Sequence, residues 1–195
     1  MSQSNEQQIT TANDAANYVN GVNLDTLMGT VKAIQADPEM GASHFRVTNQ
    51  WIDGACNQST ITGFYGARQE IAHKQTFHMV ADEPAILAGN DEGANPVEYL
   101  LHALASCLTT SIVAHAAVRG IAIEKVESSL EGDIDLNGFL GLNPETPKGF
   151  TRIQAAFRIK AAPEDMEAIE SLASFSPVFN TLANGVPVDV SVEPA

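Results

Sequence analysis

NPVEYLLHALASCLTTSIVAHAAVR, from Asn95 to Arg119, is the stretch that decides the fold of this 195-residue chain. Asn95 suits the N-cap of a helix, Pro96 suits its first position, and Glu98 follows three residues after the cap, as in a capping box. Beyond that start the large aliphatic residues recur at helical spacing, at Leu101, Leu104, Leu108 and Ile112. The stretch therefore predicts one long helix with Cys107 near its middle.

The surroundings of this helix follow from its lack of charge. No Asp, Glu, Lys or Arg occurs from Tyr99 to Val118, and a helix this apolar needs cover on most of its faces. The run is long enough to span a membrane, so a span is one interpretation. His102, His115 and a series of hydroxyl residues interrupt the run, and such groups are costly in a bilayer. We therefore expect cover by protein, in a core or at a subunit interface.

The composition limits the kinds of partner that the chain can take. Ten basic and 24 acidic residues give a net charge of −14, so nucleic acid and membrane surfaces are poor partners. The N-terminal residues MSQSNEQQITT lack the pattern of a signal peptide. Two cysteines are too few for a disulfide framework. These features together predict a cytoplasmic protein, and no motif in the sequence indicates a cofactor.

The rest of the chain divides into short periodic segments. Residues 1–11 are expected to form a loose tail, and Ala15 to Ala36 has the apolar spacing of a helix. We then expect an antiparallel meander of three strands, at His44–Trp51, Ser59–Tyr65 and Gln75–Val80. After the long helix we expect strands at Ile121–Asp135, Phe150–Ile159 and Val186–Val192, with helices at Pro163–Ala173 and Ser176–Leu182. NGFLGLNPETPKG, which follows the first of these strands, is expected to be a loop.

Cys107 is the strongest candidate for chemistry, and two interpretations of it stay open. A free cysteine is often an inert core residue, and a reactive one needs a stabilised thiolate and access to solvent. Thr110 and Ser111 lie one turn further on the same face, where they could hydrogen-bond a thiolate or simply allow close helix packing. Glu98 is about 13 Å away along the helix, so it could act only on the Cys107 of another subunit. The other interpretation of Glu98 is the capping box.

Metal binding finds no support in the pattern. His102 and His115 are thirteen positions apart on one helix, and no cysteine or acidic residue stands near them at zinc spacing. We therefore expect them to be core or interface histidines, and we expect no metal site.

Two segments together resemble the OsmC/Ohr family of osmotically inducible and organic hydroperoxide resistance proteins. DEGANPVEYLLHALASC, from Asp91 to Cys107, resembles the family signature, and SPVFNTLANGVPVDV, from Ser176 to Val190, resembles its second block. The likeness starts near Arg46 and continues to the C-terminus, and GFLGL suits the OsmC-like branch. Residues 1–43 then form an N-terminal tail and helical arm, and residues 44–195 form the OsmC-like domain.

The resemblance implies both a fold and a reaction. The fold is of the α/β (α+β) type, with antiparallel sheets wrapped around long central helices in a swapped, intertwined homodimer. The reaction is that of a thiol peroxidase, in which Cys107 attacks an organic hydroperoxide, becomes a sulfenic acid and is restored through a second cysteine and an external thiol reductant. The sites lie at the dimer interface.

Several residues that assist this reaction in the family are absent from the corresponding positions of this sequence. Ser176 occupies the position of the resolving cysteine, and Val97 occupies that of the activating glutamate, with Glu98 one place later. The segment WIDGACNQ, which would carry the activating arginine, contains none. Arg46 and Arg68 are the nearest alternatives by sequence, and we take Arg68 as the candidate. Cys56 is the candidate resolving residue if its Cα comes within about 7 Å of that of Cys107.

The sequence therefore predicts a dimeric, cysteine-based peroxidase acting on organic hydroperoxides. The missing resolving cysteine leaves a sulfenic acid open to further oxidation, and the missing arginine reduces the thiolate fraction. The alternative is a dimer without catalytic activity that binds a small apolar ligand at its interface.

Overall fold

The computed structural model describes residues 17–194. Its strands are β1 Tyr18–Val19, β2 Val22–Asn23, β3 His44–Phe45, β4 Thr48–Asp53, β5 Cys56–Gly66, β6 Gln69–Ala81, β7 Ile123–Asp133 and β8 Arg152–Ala161. Its α-helices are α1 Leu24–Ala36, α2 Pro96–Val118, α3 Leu136–Phe139, α4 Met166–Ser171 and α5 Pro177–Asn184. Short 3-10 turns follow α1, flank α4 on both sides and lie in the loop between β6 and α2. The mixed helix and sheet class predicted from the sequence is thus confirmed.

The long central helix α2 begins and ends within one residue of the prediction. The Asn95 side chain accepts a hydrogen bond from the Val97 amide at 2.9 Å, and Glu98 Oε2 accepts one from the Asn95 amide at 2.9 Å. These bonds satisfy backbone donors that the first turn leaves open. Only one stripe of α2 is buried by its own chain, at Leu104, Leu108, Ile112, Ala116 and Ala117.

Strands β3 to β6 form an N-terminal sheet and strands β7 and β8 a C-terminal sheet, both antiparallel. In the N-terminal sheet β5 pairs with β3 and β4 along one edge and with β6 along the other, which confirms the predicted meander. In the C-terminal sheet β7 pairs with β8, from Ile123 opposite Ala161 to Asp133 opposite Arg152. The connection between β7 and β8 was expected to be a loop and contains the short helix α3, capped by the Asp135 side chain.

The core lies where the C-terminal half of α2 meets β7, β8 and α4. It consists of buried aliphatic residues of α2, of the turn into β7 and of the helical segment after β8, at Ile112, Ala116, Ile121, Ile169 and Leu172. Phe157 and Ile159 of β8 pack against it from the sheet side. Helix α2 is long and apolar enough to cross a membrane. Of its most apolar 18 residues, 28% are buried within the chain.

The loop between β6 and α2 is organised around a buried carboxylate. Asp82 is 1% exposed, and its oxygens accept hydrogen bonds from the backbone amides of Glu83, Asn90 and Glu92 at 2.8 to 3.2 Å. These amides stabilise the charged form, so the pKa of Asp82 is lowered, with the Glu92 amide as the largest cause, against the effect of burial. The loop leads to Asn95, the N-cap residue of α2. Because Asp82 orders this loop, it helps to set the position at which α2 begins.

The helix predicted from Ala15 is corrected at its start. Within the described residues the helix α1 begins at Leu24, capped by the Asn23 side chain, and the preceding residues form the small hairpin of β1 and β2. Asn20 and Gly21 have φ of +52° and +76°, the conformation that an Asn-Gly hairpin turn favours. This turn chemistry overrides the helical spacing. The predicted start at Ala15 and the predicted tail, residues 1–11, lie outside the described residues.

The predicted strand Val186–Val192 is also corrected. The segment carries no strand assignment in the described chain, because it has no neighbour to pair with. Its alternate valines are all exposed, from 56% at Val186 to 91% at Val192. The alternation that predicted a strand is therefore present. Within the described part of a single chain, however, no apolar surface packs against the valine face of this segment.

We predict that Asp82→Asn lowers the melting temperature by several degrees, because an amide replaces the acceptor of several backbone amides and adds donors of its own. The carboxylate contributes stability above its unfolded pKa of about 3.9, and the contribution is lost as pH falls through the lower folded value. Thermal unfolding between neutral and acid pH would measure both effects. A variant as stable as the wild type at neutral pH would contradict the assignment.

Candidate active site

Cys107 lies half-buried in the middle of α2, on the flank of the buried stripe. Its buried neighbours Leu104 and Leu108 face the C-terminal sheet, and Ser106 and Thr110 beside it are exposed. The thiol is therefore held by a rigid helix at the border between the covered and the uncovered faces of α2. This placement gives the nucleophile predicted from the sequence both an apolar side and access.

The hydroxyl groups next to Cys107 are bonded to the helix backbone. Thr110 Oγ1 donates to the carbonyl oxygens of Ser106 and Cys107 at 3.0 and 3.2 Å, and Ser106 Oγ donates to that of His102 at 2.8 Å. Such bonds are usual for these residues inside helices. In this conformation Thr110 contacts the backbone of Cys107 and not its sulfur, which fits the interpretation of these small residues as packing residues.

Glu98 lies in an acidic depression at the start of α2. Its side chain is exposed and forms the capping box, which accounts for the residue without catalysis. Val97, at the family position of the activating glutamate, is 37% exposed. These two residues line a cavity of about 260 Å³ together with Asp82, Asp91 and Asn95. A catalytic role for Glu98 stays a prediction that concerns a second subunit.

The candidate activating arginines are paired with acidic residues of their own chain. Arg68 sits at the turn between β5 and β6, with φ of +59°, and its guanidinium binds Asp37 at 3.1 Å and also Glu39. Arg46 pairs with Glu70 across the same sheet. Each arginine therefore carries out a local structural task, and the role of Arg68 at the thiol stays a prediction.

Cys56, the candidate resolving residue, is a shielded thiol at the start of β5. It is 5% exposed, and both cysteines of the chain are free. Burial raises the pKa of the Cys56 thiol, and the carboxylates of Asp82, Glu92 and Asp53 raise it further. A thiol with these neighbours forms little thiolate at neutral pH, which disfavours fast attack on a sulfenic acid.

Ser176 performs a structural task at the position where the family resemblance places a resolving cysteine. It is fully buried, and its Oγ accepts a hydrogen bond from the Phe179 amide at 3.2 Å, so it is the N-cap of α5. Serine is among the preferred N-cap residues. The helix cap therefore accounts for the buried Ser176 hydroxyl.

Two features of the site were not predicted from the sequence. One is an apolar cavity of about 1100 Å³ between α2, β8, α4 and α5. Its walls include the side chains of Leu100, Leu104, Leu108, Phe157 and Phe179. Helical spacing placed Leu104 and Leu108 on the apolar face of the long helix, but it could not show that the elements packed there leave space between them.

The second unpredicted feature is a stack at the C-terminal end of α2. The rings of His115 and Phe175 lie 4.1 Å apart at 23°, and the Arg119 guanidinium lies over Phe175 while it contacts His115 Nδ1 at 3.3 Å. Burial and the nearby Arg119 lower the pKa of His115. The i to i+4 spacing of His115 and Arg119 was a signal, but Phe175 is distant in sequence. Among residues 17–194 no group of three or more His, Cys, Asp or Glu side chains is placed to hold a metal ion.

The comparisons with known proteins identify the family. Residues 89–191, more than half of the chain, match the model of the family described as OsmC-like protein. This segment contains α2 with Cys107, the C-terminal sheet and the helices that cap it. The chain belongs to the OsmC-like family. A search of curated proteins gives no match.

Solved structures confirm the fold of this family. An OsmC-like protein from Mycoplasma pneumoniae is 20% identical, with a TM-score of 0.55 over 72% of this chain and 88% of the other. An OsmC-like protein of unknown function from Vibrio cholerae is 14% identical, with a TM-score of 0.53 over 72% and 94%. A Psychrobacter arcticus protein described as an osmotic stress induced and detoxification response protein is 15% identical, with a TM-score of 0.52 over 69% and 85%.

We predict that thiol reagents modify the two cysteines at clearly different rates. At neutral pH iodoacetamide should modify Cys107 first, because it is half-exposed while the pKa of Cys56 is raised by burial and carboxylates. Peptide mass spectrometry at successive times measures both rates, and denatured protein provides the reference in which the two should converge. Equal rates in the native protein would contradict the burial of Cys56.

Proposed function

We propose that the protein is a homodimeric, thiol-dependent peroxidase that reduces organic hydroperoxides in the cytoplasm. The observation that carries the proposal is the position of Cys107, half-exposed in the middle of the central helix within the OsmC-like segment. Membership of the family supports the class of fold, and the sequence resemblance to its hydroperoxide resistance members supports the reaction.

The reaction needs few groups. The Cys107 thiolate attacks the distal oxygen of the hydroperoxide, an S–O bond forms as the O–O bond breaks, and the alkoxide leaves as an alcohol after it gains a proton. Cysteine becomes sulfenic acid in this two-electron oxidation. The apolar side of Cys107, at Leu104 and Leu108, suits the organic part of such a substrate.

The restoration of the thiol calls for an external reductant. Ser176 cannot form a disulfide, and Cys56 is buried among carboxylates. We therefore propose that a small dithiol attacks the sulfenic acid, releases water and forms a mixed disulfide. The second thiol of the reductant then displaces Cys107 as a thiolate. Because Cys107 is partly exposed, a small reductant can reach it and take the role of the missing internal cysteine.

The dimer is proposed on the uncovered apolar surface of the single chain. Helix α2 is buried along only one stripe although no charge occurs from Tyr99 to Val118. Val188 and Val190 of the C-terminal segment are 78% and 83% exposed, and Trp51 of β4 is 68% exposed. Exposure on this scale marks an interaction surface, and a second copy of the chain offers the matching apolar face.

We predict that the wild type consumes cumene hydroperoxide with dithiothreitol as reductant, and that Cys107→Ser abolishes the activity to the background rate. The loss should be at least a hundredfold, on the order expected when a covalent nucleophile is removed. Consumption of the peroxide and formation of the alcohol by chromatography provide the measurement.

Cys56→Ser is the matched control, because it removes the other thiol and should retain most of the activity. Full activity in Cys107→Ser would sink the proposal. Loss of activity only in Cys56→Ser would instead assign the nucleophile to Cys56. Circular dichroism of both variants shows whether either substitution acts through unfolding.

We predict that charges on the valine face of the C-terminal segment weaken the dimer. Val188→Lys with Val190→Lys should shift the protein toward a monomer in light scattering after gel filtration, because two buried charges would have no partner. Ser191→Lys, one position on, places a charge on the opposite face and serves as the control. A wild-type monomer, or a double variant that dimerises as the wild type does, would contradict the assignment.

The apolar cavity of about 1100 Å³ favours one alternative function, a dimer without catalytic activity that binds a small apolar ligand. A dye such as anilinonaphthalene sulfonate should then gain fluorescence with the native protein, and Leu104→Gln should reduce the gain. Binding by Cys107→Ser at wild-type affinity, with no peroxidase activity in the wild type, would favour this alternative over the peroxidase.

A further inference from the structure

The N-terminal arm, residues 17–43, lies outside the segment that matches the OsmC-like family and is tied to the rest of the chain at two points. At its far end Asp37 and Glu39 bind Arg68 on the surface of the N-terminal sheet. At its near end Asn20 is hydrogen-bonded to the chain just before β7, about a hundred residues away in sequence. Exposed ion pairs contribute little to stability, so of these two polar contacts the one made by Asn20 contributes more to the docking.

The docking of Asn20 uses both polar atoms of its side-chain amide. Nδ2 donates to the Ile121 carbonyl oxygen at 2.9 Å, and Oδ1 accepts from the Ile123 amide at 2.8 Å. The side chain thus takes the place of a neighbouring strand at the start of β7, next to Ile121, a buried core residue. Only a group with one donor and one acceptor completes this pair, and a carboxylate has acceptors alone.

The residue that makes this contact precedes a glycine in an exposed turn. Asn20 and Gly21 both have positive φ, and the space beside the Gly21 Cα is open. A following glycine leaves the asparagine side chain accessible to attack by the next backbone nitrogen, since no side chain shields that nitrogen. An anchor of the arm is therefore built on the dipeptide that is chemically most prone to deamidation.

We propose that Asn20 is a deamidation site whose conversion keeps the N-terminal arm from docking again. The Gly21 backbone nitrogen attacks Asn20 Cγ, a C–N bond forms, and the side-chain nitrogen leaves as ammonia. Water then opens the resulting succinimide to an aspartate or an isoaspartate. The sequence of steps is hydrolytic, so no oxidant or reductant takes part.

Once Asn20 has been converted, the geometry disfavours return of the arm to its docked position. In the docked arm both polar atoms of the amide are hydrogen-bonded to Ile121 and Ile123. Loss of the amide nitrogen breaks the bond to Ile121, so the reaction proceeds from the undocked arm. The product has a carboxylate where the donor was, and it would face the Ile121 carbonyl oxygen. Redocking would then leave that carbonyl without its partner, which is unfavourable.

The first experiment follows the chemistry in the full-length protein. The wild type is incubated at mildly alkaline pH and 37 °C, and peptide mass spectrometry follows replacement of the side-chain amide by an acid at Asn20. Asn184-Gly185, at the C-terminal end of α5, where Asn184 Nδ2 donates to the Asn180 carbonyl oxygen, is the internal reference. We expect conversion at Asn20 to be slower than at Asn184 in the native protein and equal to it in urea. No conversion at Asn20 in urea would overturn the proposal.

The second experiment tests the consequence with variants. Asn20→Asp should raise hydrogen exchange of the Ile123 amide about tenfold or more, as expected when a partly buried hydrogen bond is lost. Exchange at Val126, further along β7, should stay unchanged, and Asn184→Asp should leave both amides unchanged. An Ile123 amide as protected in Asn20→Asp as in the wild type would refute the proposal that conversion keeps the arm from docking.

The pH dependence distinguishes loss of the hydrogen-bond donor to the Ile121 carbonyl oxygen from a general destabilisation of the arm. Below about pH 3.9 the introduced carboxyl group gains a proton, and its O–H can donate to the Ile121 oxygen again. Protection of Ile123, corrected for intrinsic exchange, should therefore recover toward the wild type in Asn20→Asp and stay low in Asn20→Ala. The nearby charged groups on the packed elements, Asp25, Arg119 and Glu124, are common to both variants. Equal behaviour of the two variants at acid pH would overturn the role of the donor.

Discussion

The structure depends on the need to cover a 23-residue helix that carries no charge from Tyr99 to Val118. Burial of apolar surface is the main favourable term in folding, and α2 presents such surface on every side. Its own chain covers one stripe with the C-terminal sheet and the segment that ends at Phe175, and leaves the rest half-exposed. The valines from Val186 onward are a second set of apolar side chains that the single chain leaves exposed.

The helix is fixed at both ends by polar contacts, so its middle can hold a reactive group in place. At the N-terminal end the capping box and the amide-bonded carboxylate of Asp82 define the first turn. At the C-terminal end the stack of His115, Phe175 and Arg119 holds the last turn against the segment before α5. Cys107 lies between these fixed points, about three turns from the N-terminal end. The precision of the site is therefore a property of the helix ends rather than of contacts at the sulfur.

The sequence predicts features that are local and fails where the partner is distant. The caps at Asn95 and Ser176 were predictable because each involves residues within a few positions. The docking of Asn20 on Ile121 and Ile123 could not be predicted, because this contact joins residues about a hundred positions apart in the sequence. The valine alternation after Gly185 predicts a strand, but pairing needs a neighbour that one chain does not supply. The burial of Cys56 and the pairing of Arg68 were likewise invisible to periodicity.

The charge of the chain bears on how a thiolate can be stabilised. The chain carries 24 acidic residues against ten basic ones, and the candidate arginines Arg46 and Arg68 are already bound to carboxylates. These pairs are exposed to solvent, and exposed pairs are weak because water screens them and both side chains lose freedom. Transfer of Arg68 from Asp37 and Glu39 to another anion would therefore cost little. The local pairing of Arg68 with Asp37 and Glu39 is therefore compatible with the role at the Cys107 thiol that the sequence predicts.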